Sequence, residues 1–326
     1  MPELTLVEAV RMALARAMEE DPKVLVLGED VGKNGGVFRA TEGLYERFGP
    51  ERVIDTPLSE ALFAGLGLGL AARGFRPVVE FQFMGFIYPA IDQVVNHVGR
   101  LRNRTRGRLS CPLVIRAPFG GGIRAPEHHS ESTEAMFCHI PGIRVVIPSS
   151  PRRAYGLLLA AIRDPDPVVF LEPKRIYRAF REQVEDDGAQ LPLDRAFVLR
   201  EGRDVTLVTW GACVKEALEA AEQAQERGIS VEVIDLATLK PYDAETVLGS
   251  VAKTGRLVIL HEAARTAGFG AEIVARVAEE GLFSLTAPVV RVTGYDTVVP
   301  LPRLEDWYFP DVPRVLAAIE QVVSWR

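Results

Sequence analysis

Carboxylates and imidazoles crowd into one short stretch of this chain, where Glu127, His128, His129, Glu131 and Glu134 follow closely on one another. Such a set has the chemistry either to hold a metal ion or to move protons. A zinc site of this kind needs its histidines on one face, as the H-E-x-x-H pattern provides on a helix. That pattern is missing, and adjacent histidines on an extended chain point to opposite sides. No metal ion is expected on this chain, which leaves a catalytic histidine and a satisfied structural one as the two readings. A second acidic site is Asp55–Glu60 (DTPLSE), where a strand runs through a proline turn into a helix. Ser59 and Glu60 fall in the first helical turn, where a cap and a carboxylate are both stabilising, so spacing by itself reads as a helix end. Gly120–Gly122 follows a strand and offers backbone N–H groups to an anion. It lacks the Lys-Ser/Thr of a phosphate loop and reads as a tight turn or a backbone-contact loop.

The elements that must position these residues alternate between helical and extended periods. Leu6, Val7, Val10, Leu14 and Met18 recur at helical spacing, and Lys23–Gly28 reads as a buried strand followed by a glycine-rich loop at Val31–Val37. A helix is expected over Ser59–Ala72, although Gly65, Gly67 and Gly69 weaken it unless something packs closely on that face. These glycines do not match the dinucleotide pattern G-x-G-x-x-G. Apolar runs at Pro77–Phe83, Pro112–Arg116, Arg144–Ile147 and Pro167–Leu171 read as strands of a parallel sheet, with helices near Ala90–Leu101 and Pro151–Ile162. Pro173–Leu199 is polar and without period, and reads as a linker crossing the surface. The α/β pattern then restarts at Asp204 and ends in a helix near Val312–Val323. The expected fold class is α/β, doubly wound in its first half, with domains at 1–180 and 201–326 and a linker at 181–200.

Composition narrows the function classes. The 326 residues are 48% hydrophobic and 25% charged with a net charge of −6, a folded protein rather than a disordered one. Arg102, Arg104, Arg106 and Arg108 alternate, but no aromatic residue interleaves with them. A solvated face, a phosphate contact or a subunit contact is expected there rather than nucleic acid. Cys111, Cys138 and Cys213 are far apart, which excludes a disulfide framework and a C-x-x-C zinc site. Glu3, Glu8, Glu19 and Glu20 make the N-terminus unlike a secretory or mitochondrial leader, and no apolar run is long enough to span a membrane. A cytoplasmic protein is expected.

A series of segments in fixed order carries more information than any of these features. They are GEDVGKNGGVFRATEGL at Gly28–Leu44, DTPLSE at Asp55–Glu60, RPVVEFQF at Arg76–Phe83, AIDQV at Ala90–Val94, PFGGG at Pro118–Gly122 and HSES at His129–Ser132. PGIRVVIPS at Pro141–Ser149, AAIRDPDPVVFLEPKRIYR at Ala160–Arg178, VTLVTWG at Val205–Gly211, SVAKTGR at Ser250–Arg256 and RVTGYDT at Arg291–Thr297 complete it. Along essentially its whole length the chain resembles the β subunits of thiamine-diphosphate-dependent 2-oxo acid dehydrogenases, which include the pyruvate and branched-chain enzymes. The resemblance implies a transketolase-like fold, a pyrimidine-binding domain followed by a transketolase C-terminal domain. Thiamine enzymes hold the diphosphate and its Mg²⁺ with a G-D-G motif and an Asn-rich segment. This sequence has neither, so the resemblance implies that an α subunit supplies that half, in an α2β2 heterotetramer.

Residue roles follow from the same resemblance. Glu60 matches the glutamate that hydrogen-bonds the 1′ nitrogen of the aminopyrimidine and favours its imino tautomer. Glu29, Leu58, Gln82 and Phe86 match positions beside the pyrimidine, with Glu29 helping to place Glu60. Phe83 falls on the substrate side. His129 matches the histidine of an H-S-x-S motif near the reacting carbon, where it implies substrate positioning or proton transfer. Asp164 and Asp166 resemble a potassium-binding loop of some relatives, although an ordinary solvated turn is the favoured reading. The implied reaction is oxidative decarboxylation of a 2-oxo acid with acyl transfer to the lipoyl group of a dihydrolipoyl acyltransferase. Pyruvate is favoured and a branched-chain 2-oxo acid is the alternative. A self-sufficient transketolase or deoxyxylulose-phosphate synthase would need the missing diphosphate motif, and a subunit binding NAD or flavin would need a phosphate loop.

Overall fold

The computed structural model describes residues 1–325. Its centre is a seven-stranded sheet in the order Thr238–Lys240, Arg144–Val146, Val168–Pro173, Val114–Phe119, Arg76–Glu80, Val24–Gly28, Val53–Asp55. All neighbours are parallel except Thr238–Lys240, which runs antiparallel to Arg144–Val146. Strands covered on both faces are largely apolar, as in VLVLG and VVFLEP, which are buried at every residue. From Val24–Gly28 the chain goes to Val53–Asp55 on one side and then to Arg76–Glu80 on the other, so the strand order reverses there. In open α/β sheets the crevice beyond the strand carboxyl ends at such a reversal is the usual place for a ligand.

Helices Leu6–Glu20 and Pro151–Arg163 pack together on one face of this sheet, over a core containing Leu14, Val26, Leu158 and Phe170. Glu60–Ala72 covers the other face, and its glycines have a use. A Cβ on Gly67 would lie 2.6 Å from Val79 Cγ2 and 3.1 Å from Leu113 Cδ1, so the bare backbone lets this helix sit close on the sheet. The second sheet is five-stranded, in the order Val290–Val292, Leu257–Leu260, Val205–Thr209, Val231–Asp235, Phe197–Arg200, and only Phe197–Arg200 is antiparallel. Helices Val214–Glu226 and Val312–Val323 close its outer face. Its inner face shares one apolar cluster with the first sheet, running from Phe63 and Val79 through Trp210 to Ile259 and Phe269. The two halves are therefore packed as one body.

Three segments differ from the sequence expectation. Ala90–Leu101 is not a regular helix: Met84–Ala90 and Val98–Arg100 are 3₁₀, Gln93–His97 is a π turn, and residues 91–92 and Leu101–Arg104 are short α pieces. Pro89 removes a donor there, and Gly99 is squeezed so that a Cβ would lie 2.9 Å from Pro141 O. Pro173–Leu199 is not wholly irregular, because Glu182–Gln183 pairs with Glu3–Leu4 and Phe197–Arg200 opens the second sheet. Edge strands this short carry too few residues for a period to register. Thr238–Lys240, from the second half, joins the first sheet, a crossing that no local pattern announces. The alternate arginines are largely engaged within the chain, Arg102 with Asp166 at 2.6 Å and Arg104 with Asn96 O at 2.7 Å. Among the described residues no helix is long and apolar enough to cross a membrane.

Candidate active site

Gly28, the last residue of its strand, pairs in register with Asp55 on one side and Glu80 on the other. A Cβ on Gly28 would lie 2.5 Å from Glu80 O, so only glycine lets the strand ends close up here. Glu29, the DTPLSE turn and Gln82 thus emerge from neighbouring strand ends at the point where the strand order reverses. Asp55 braces the glycine-rich loop, its Oδ1 accepting from Gly32 N at 2.6 Å. Helix Glu60–Ala72 starts directly after this turn with Ser59 at its N-cap position, and the Ser59 side chain makes no capping hydrogen bond.

Glu29 is half-buried, and burial first, then the carboxylates of Asp30 and Glu60, push its carboxyl above the usual range. Like-charge neighbours disfavour ionisation, so a clustered acid of this kind keeps a proton more readily than an isolated one. Gln82 Nε2 donates to Asp30 Oδ2 at 3.3 Å, which draws the segment after Arg76–Glu80 against the segment after Val24–Gly28. Next to Gln82, Phe83 begins an aromatic cluster. Its ring lies 4.4 Å from that of His129 edge-on and 5.5 Å from those of Phe86 and Phe38, and Phe86 lies 5.2 Å from His129. Centroid separations in this range are those of favourable edge-to-face pairs.

His129 sits in a 3₁₀ turn at Glu127–His129, its N–H donating to Pro126 O at 2.9 Å, and its Nδ1 is buried without a partner. Burial, His128 and the ammonium of Lys174 all push its pKa below the ordinary histidine value. A neutral imidazole at physiological pH retains one nitrogen lone pair for accepting a proton or a hydrogen bond. Glu131, at the third position of HSES, accepts from Gly120 N through its backbone at 3.0 Å. Its carboxylate lies beside Tyr88, whose hydroxyl is pushed up to about 12, by burial first and then by Glu131.

Two groups of the sequence-identified residues are therefore assembled: Glu29 beside Glu60, with Gln82 held to the neighbouring Asp30, and Phe83 with Phe86 and His129. The step from Gln82 to Phe83 links the groups. Leu58 joins neither and is 73% exposed. Among the described residues no cluster of His, Cys, Asp or Glu has the makings of a metal site. At Asp164 the turn is closed by its own contacts: Asp164 Oδ1 accepts from Asp166 N at 2.8 Å, and Arg76 Nη1 donates to the carbonyls of Ile162 and Asp164 at 2.9 and 3.3 Å.

Sequence reading missed the layer beneath this site. Arg116 is wholly buried, donates from Nε and Nη2 to Glu172 at 2.6 and 2.7 Å, and donates from Nη1 to Glu80. Tyr177 Oη donates to Glu172 Oε2 at 2.5 Å. Burial raises the Glu80 carboxyl even beside the guanidinium. The signal was partly legible, since Glu80 falls inside one expected strand, Arg116 ends a second and Glu172 directly follows a third, and charges buried at such places must be paired. Lys174 is also buried, its Nζ has no partner, and desolvation brings its ammonium down to about 8 while Glu262 and Glu305 pull the other way.

Comparison with known proteins defines the class and then the family. Residues 2–179 match the transketolase pyrimidine-binding domain and residues 194–315 the transketolase C-terminal domain. A solved split-gene transketolase, described as an inactive β4 tetramer, superposes with a TM-score of 0.82 at 25% identity over 99% of both chains. A transketolase variant from Pichia stipitis shares the fold at a TM-score of 0.72 and 13% identity, over 99% of this chain and 46% of that one. Pyruvate dehydrogenase E1 component subunit beta from Acholeplasma laidlawii is 48% identical over 323 residues, 99% of each chain. The protein of the same name from Bacillus subtilis is 47% identical over 325 residues, the full length of both. That from Staphylococcus epidermidis is 48% identical over 95% of this chain and 96% of that one. The chain belongs to the family of β subunits of thiamine-diphosphate-dependent 2-oxo acid dehydrogenases.

Proposed function

We propose that this chain is the β half of a pyruvate dehydrogenase decarboxylase, active only with an α subunit and transferring the acyl group to the lipoyl group of a dihydrolipoyl acyltransferase. The observation that carries the reading is that Glu29 beside Glu60, and Gln82 on Asp30, emerge where the strand order reverses, with Gln82 running directly into the Phe83–Phe86–His129 cluster. The donor set suits the pyrimidine half of thiamine diphosphate: two carboxyls, one with a raised pKa, an amide and an aromatic wall. Glu60 shares a proton with the far ring nitrogen, Glu29 sets the orientation and charge of Glu60, and Leu58, Gln82 and Phe86 line the ring. Phe83 and His129 face the 2-oxo acid, with the neutral imidazole holding or moving a proton as the acyl group departs. When bound, the cofactor supplies the electron sink for decarboxylation. The Mg²⁺ and the diphosphate belong to the α subunit in an α2β2 assembly, since the 326 residues contain no G-D-G segment. We assign residues 1–180 to the pyrimidine-binding domain, 181–200 to the connection, whose last residues Phe197–Arg200 already pair into the second sheet, and 201–326 to the C-terminal domain. Relatives named for pyruvate in three genera favour that substrate over a branched-chain 2-oxo acid.

Calorimetry with thiamine diphosphate and Mg²⁺ tests the split site. Binding is expected for the complex with the α subunit, and micromolar binding by this chain alone would overturn the proposal. The ratio of kcat/KM for pyruvate and 2-oxoisovalerate, measured on the complex, decides the substrate.

A further inference from the structure

The segment that carries His129 has little regular structure of its own between strand Val114–Phe119 and helix Glu134–Cys138. A side chain placed to act on a substrate needs its backbone fixed, and part of the fixing comes from the second half of the chain. Glu262, two residues beyond strand Leu257–Leu260, is buried in the first half's loops. Its Oε1 accepts from Gly121 N at 3.2 Å and from Ser132 Oγ at 3.0 Å, so one carboxylate oxygen ties the glycine loop to the segment following His129. Gly120 N, donating to Glu131 O at 3.0 Å, ties the same two segments directly. A second buried carboxylate, Glu305, accepts from Gly122 N and Arg124 N, both at 2.7 Å.

This explains the three consecutive glycines. A Cβ on Gly120 would fall 1.9 Å from Glu262 Oε1, one on Gly121 2.1 Å from Phe309 Cζ, and one on Gly122 2.4 Å from Arg175 Cδ. Gly120 and Gly122 also have φ of +75° and +87°, where a side chain is strained. Any other residue here would push the loop away from Glu262 and Phe309. From the other side, Gly85 brings its backbone against His128 O, which a Cβ would meet at 2.0 Å. The His129 segment is thus held between the aromatic turn of the first half and the Glu262 carboxylate of the second.

We propose that Glu262 is a positioning residue for the reaction: acting through Gly121 and Ser132, it fixes the reach of His129 toward the substrate. The inference rests on the role given to His129 under Proposed function. Its test uses the complex with the α subunit and compares Glu262→Ala, Glu262→Gln, Ser132→Ala, His129→Ala and the double variant Glu262→Ala/His129→Ala. Glu262→Ala and Ser132→Ala should lower kcat for lipoyl acylation by about 10-fold or more, on the scale of loss caused by a misplacement of about 1 Å. Thiamine diphosphate affinity should be unchanged. Glu262→Gln, which keeps an acceptor oxygen, should recover most of the rate, and the double variant should be no slower than His129→Ala. Should Glu262→Ala fail to assemble, Ser132→Ala and its double with His129→Ala carry the same comparison. Effects that multiply in the double variant, or wild-type rates in Ser132→Ala and Glu262→Ala alongside a slow His129→Ala, overturn the positioning role alone. Wild-type acylation by His129→Ala overturns the role of His129 and the inference together.

Discussion

Proton sharing with a ring nitrogen needs a carboxyl group at a fixed place, and Glu60 is fixed by the first turn of a helix that starts directly from a strand end. Glu60→Gln keeps the shape and part of the hydrogen bonding but removes the ionisable proton. We expect it to preserve fold and assembly while lowering turnover by about 10²-fold. Exchange of the cofactor's reactive C–H with deuterated water, measured in the complex with the α subunit, is the direct readout. Unchanged exchange would reduce Glu60 to a helix-end carboxylate. His129 titrates below the ordinary value chiefly because of burial, with His128 and Lys174 adding to the effect. A rate that needs neutral His129 is therefore retained at neutral pH and falls as pH drops through the depressed pKa. Replacing His128 with alanine removes one repelling positive charge, which makes protonation of His129 easier. The acidic limb of kcat should accordingly move to higher pH in His128→Ala while remaining below the limb of an exposed histidine. A limb that stays in place would mean that the two rings, 4.4 Å apart, are not electrostatically linked.

Of the strands whose ends carry the site, Arg76–Glu80 is also tied to its neighbours Val114–Phe119 and Val168–Pro173 by the Arg116 network. Glu80, Arg116 and Glu172 come from strands adjacent in the sheet, so the guanidinium on the middle strand pairs with a carboxylate on each side. Breaking a buried ion pair strands a charge in a medium that cannot solvate it, at a cost of about 3–5 kcal/mol. Arg116→Met leaves two carboxylates in that position and should lower stability by that amount in chemical denaturation. A loss below about 1 kcal/mol would show that the carboxylates simply take up protons. At this scale much was legible in the sequence: helix Val312–Val323 falls on the expected residues, because an uninterrupted helical period fixes both ends. Glu60, Gln82, Phe83 and His129 are the candidates to which the ordered motifs point, but their grouping was not legible. It depends on strand order, which the apolar pattern does not encode. Lys174 and Glu262 were missed for a related reason. Each is an ordinary charged residue in sequence, and only contacts between distant segments bury it.

An α-helix that is apolar all round is expected to be buried all round. Glu60–Ala72 meets that description in sequence, yet one side of it is bare: Leu58, just before it, is 73% exposed, Leu62 51% and Leu66 41%. Leu62 and Leu66, one turn apart on the helix, form a stripe that Gly69 extends with no atom near its would-be Cβ, and Leu58 lies just before the helix start. The stripe starts beside Glu60, at the open side of the crevice. Leaving it in water would cost about 1.5–3 kcal/mol for each leucine that burial would remove from contact with solvent. A surface covering the stripe would at the same time close the half-site over the carboxylates, which is the task assigned to the α subunit. The expected interface is large, about 2,000 Å² or more in total, as permanent complexes require. The double substitution Leu62→Asp/Leu66→Asp places two charges on that stripe, while Phe63, Ala64 and Gly67 on the inner side keep the helix seated on its sheet. We expect the variant chain to fold, with an unchanged circular dichroism spectrum and thermal transition. Its complex with the α subunit should be lost in sedimentation velocity, and thiamine diphosphate binding should be lost with it. Wild-type assembly by this variant would show that the stripe faces solvent in the working enzyme and that the α subunit docks elsewhere.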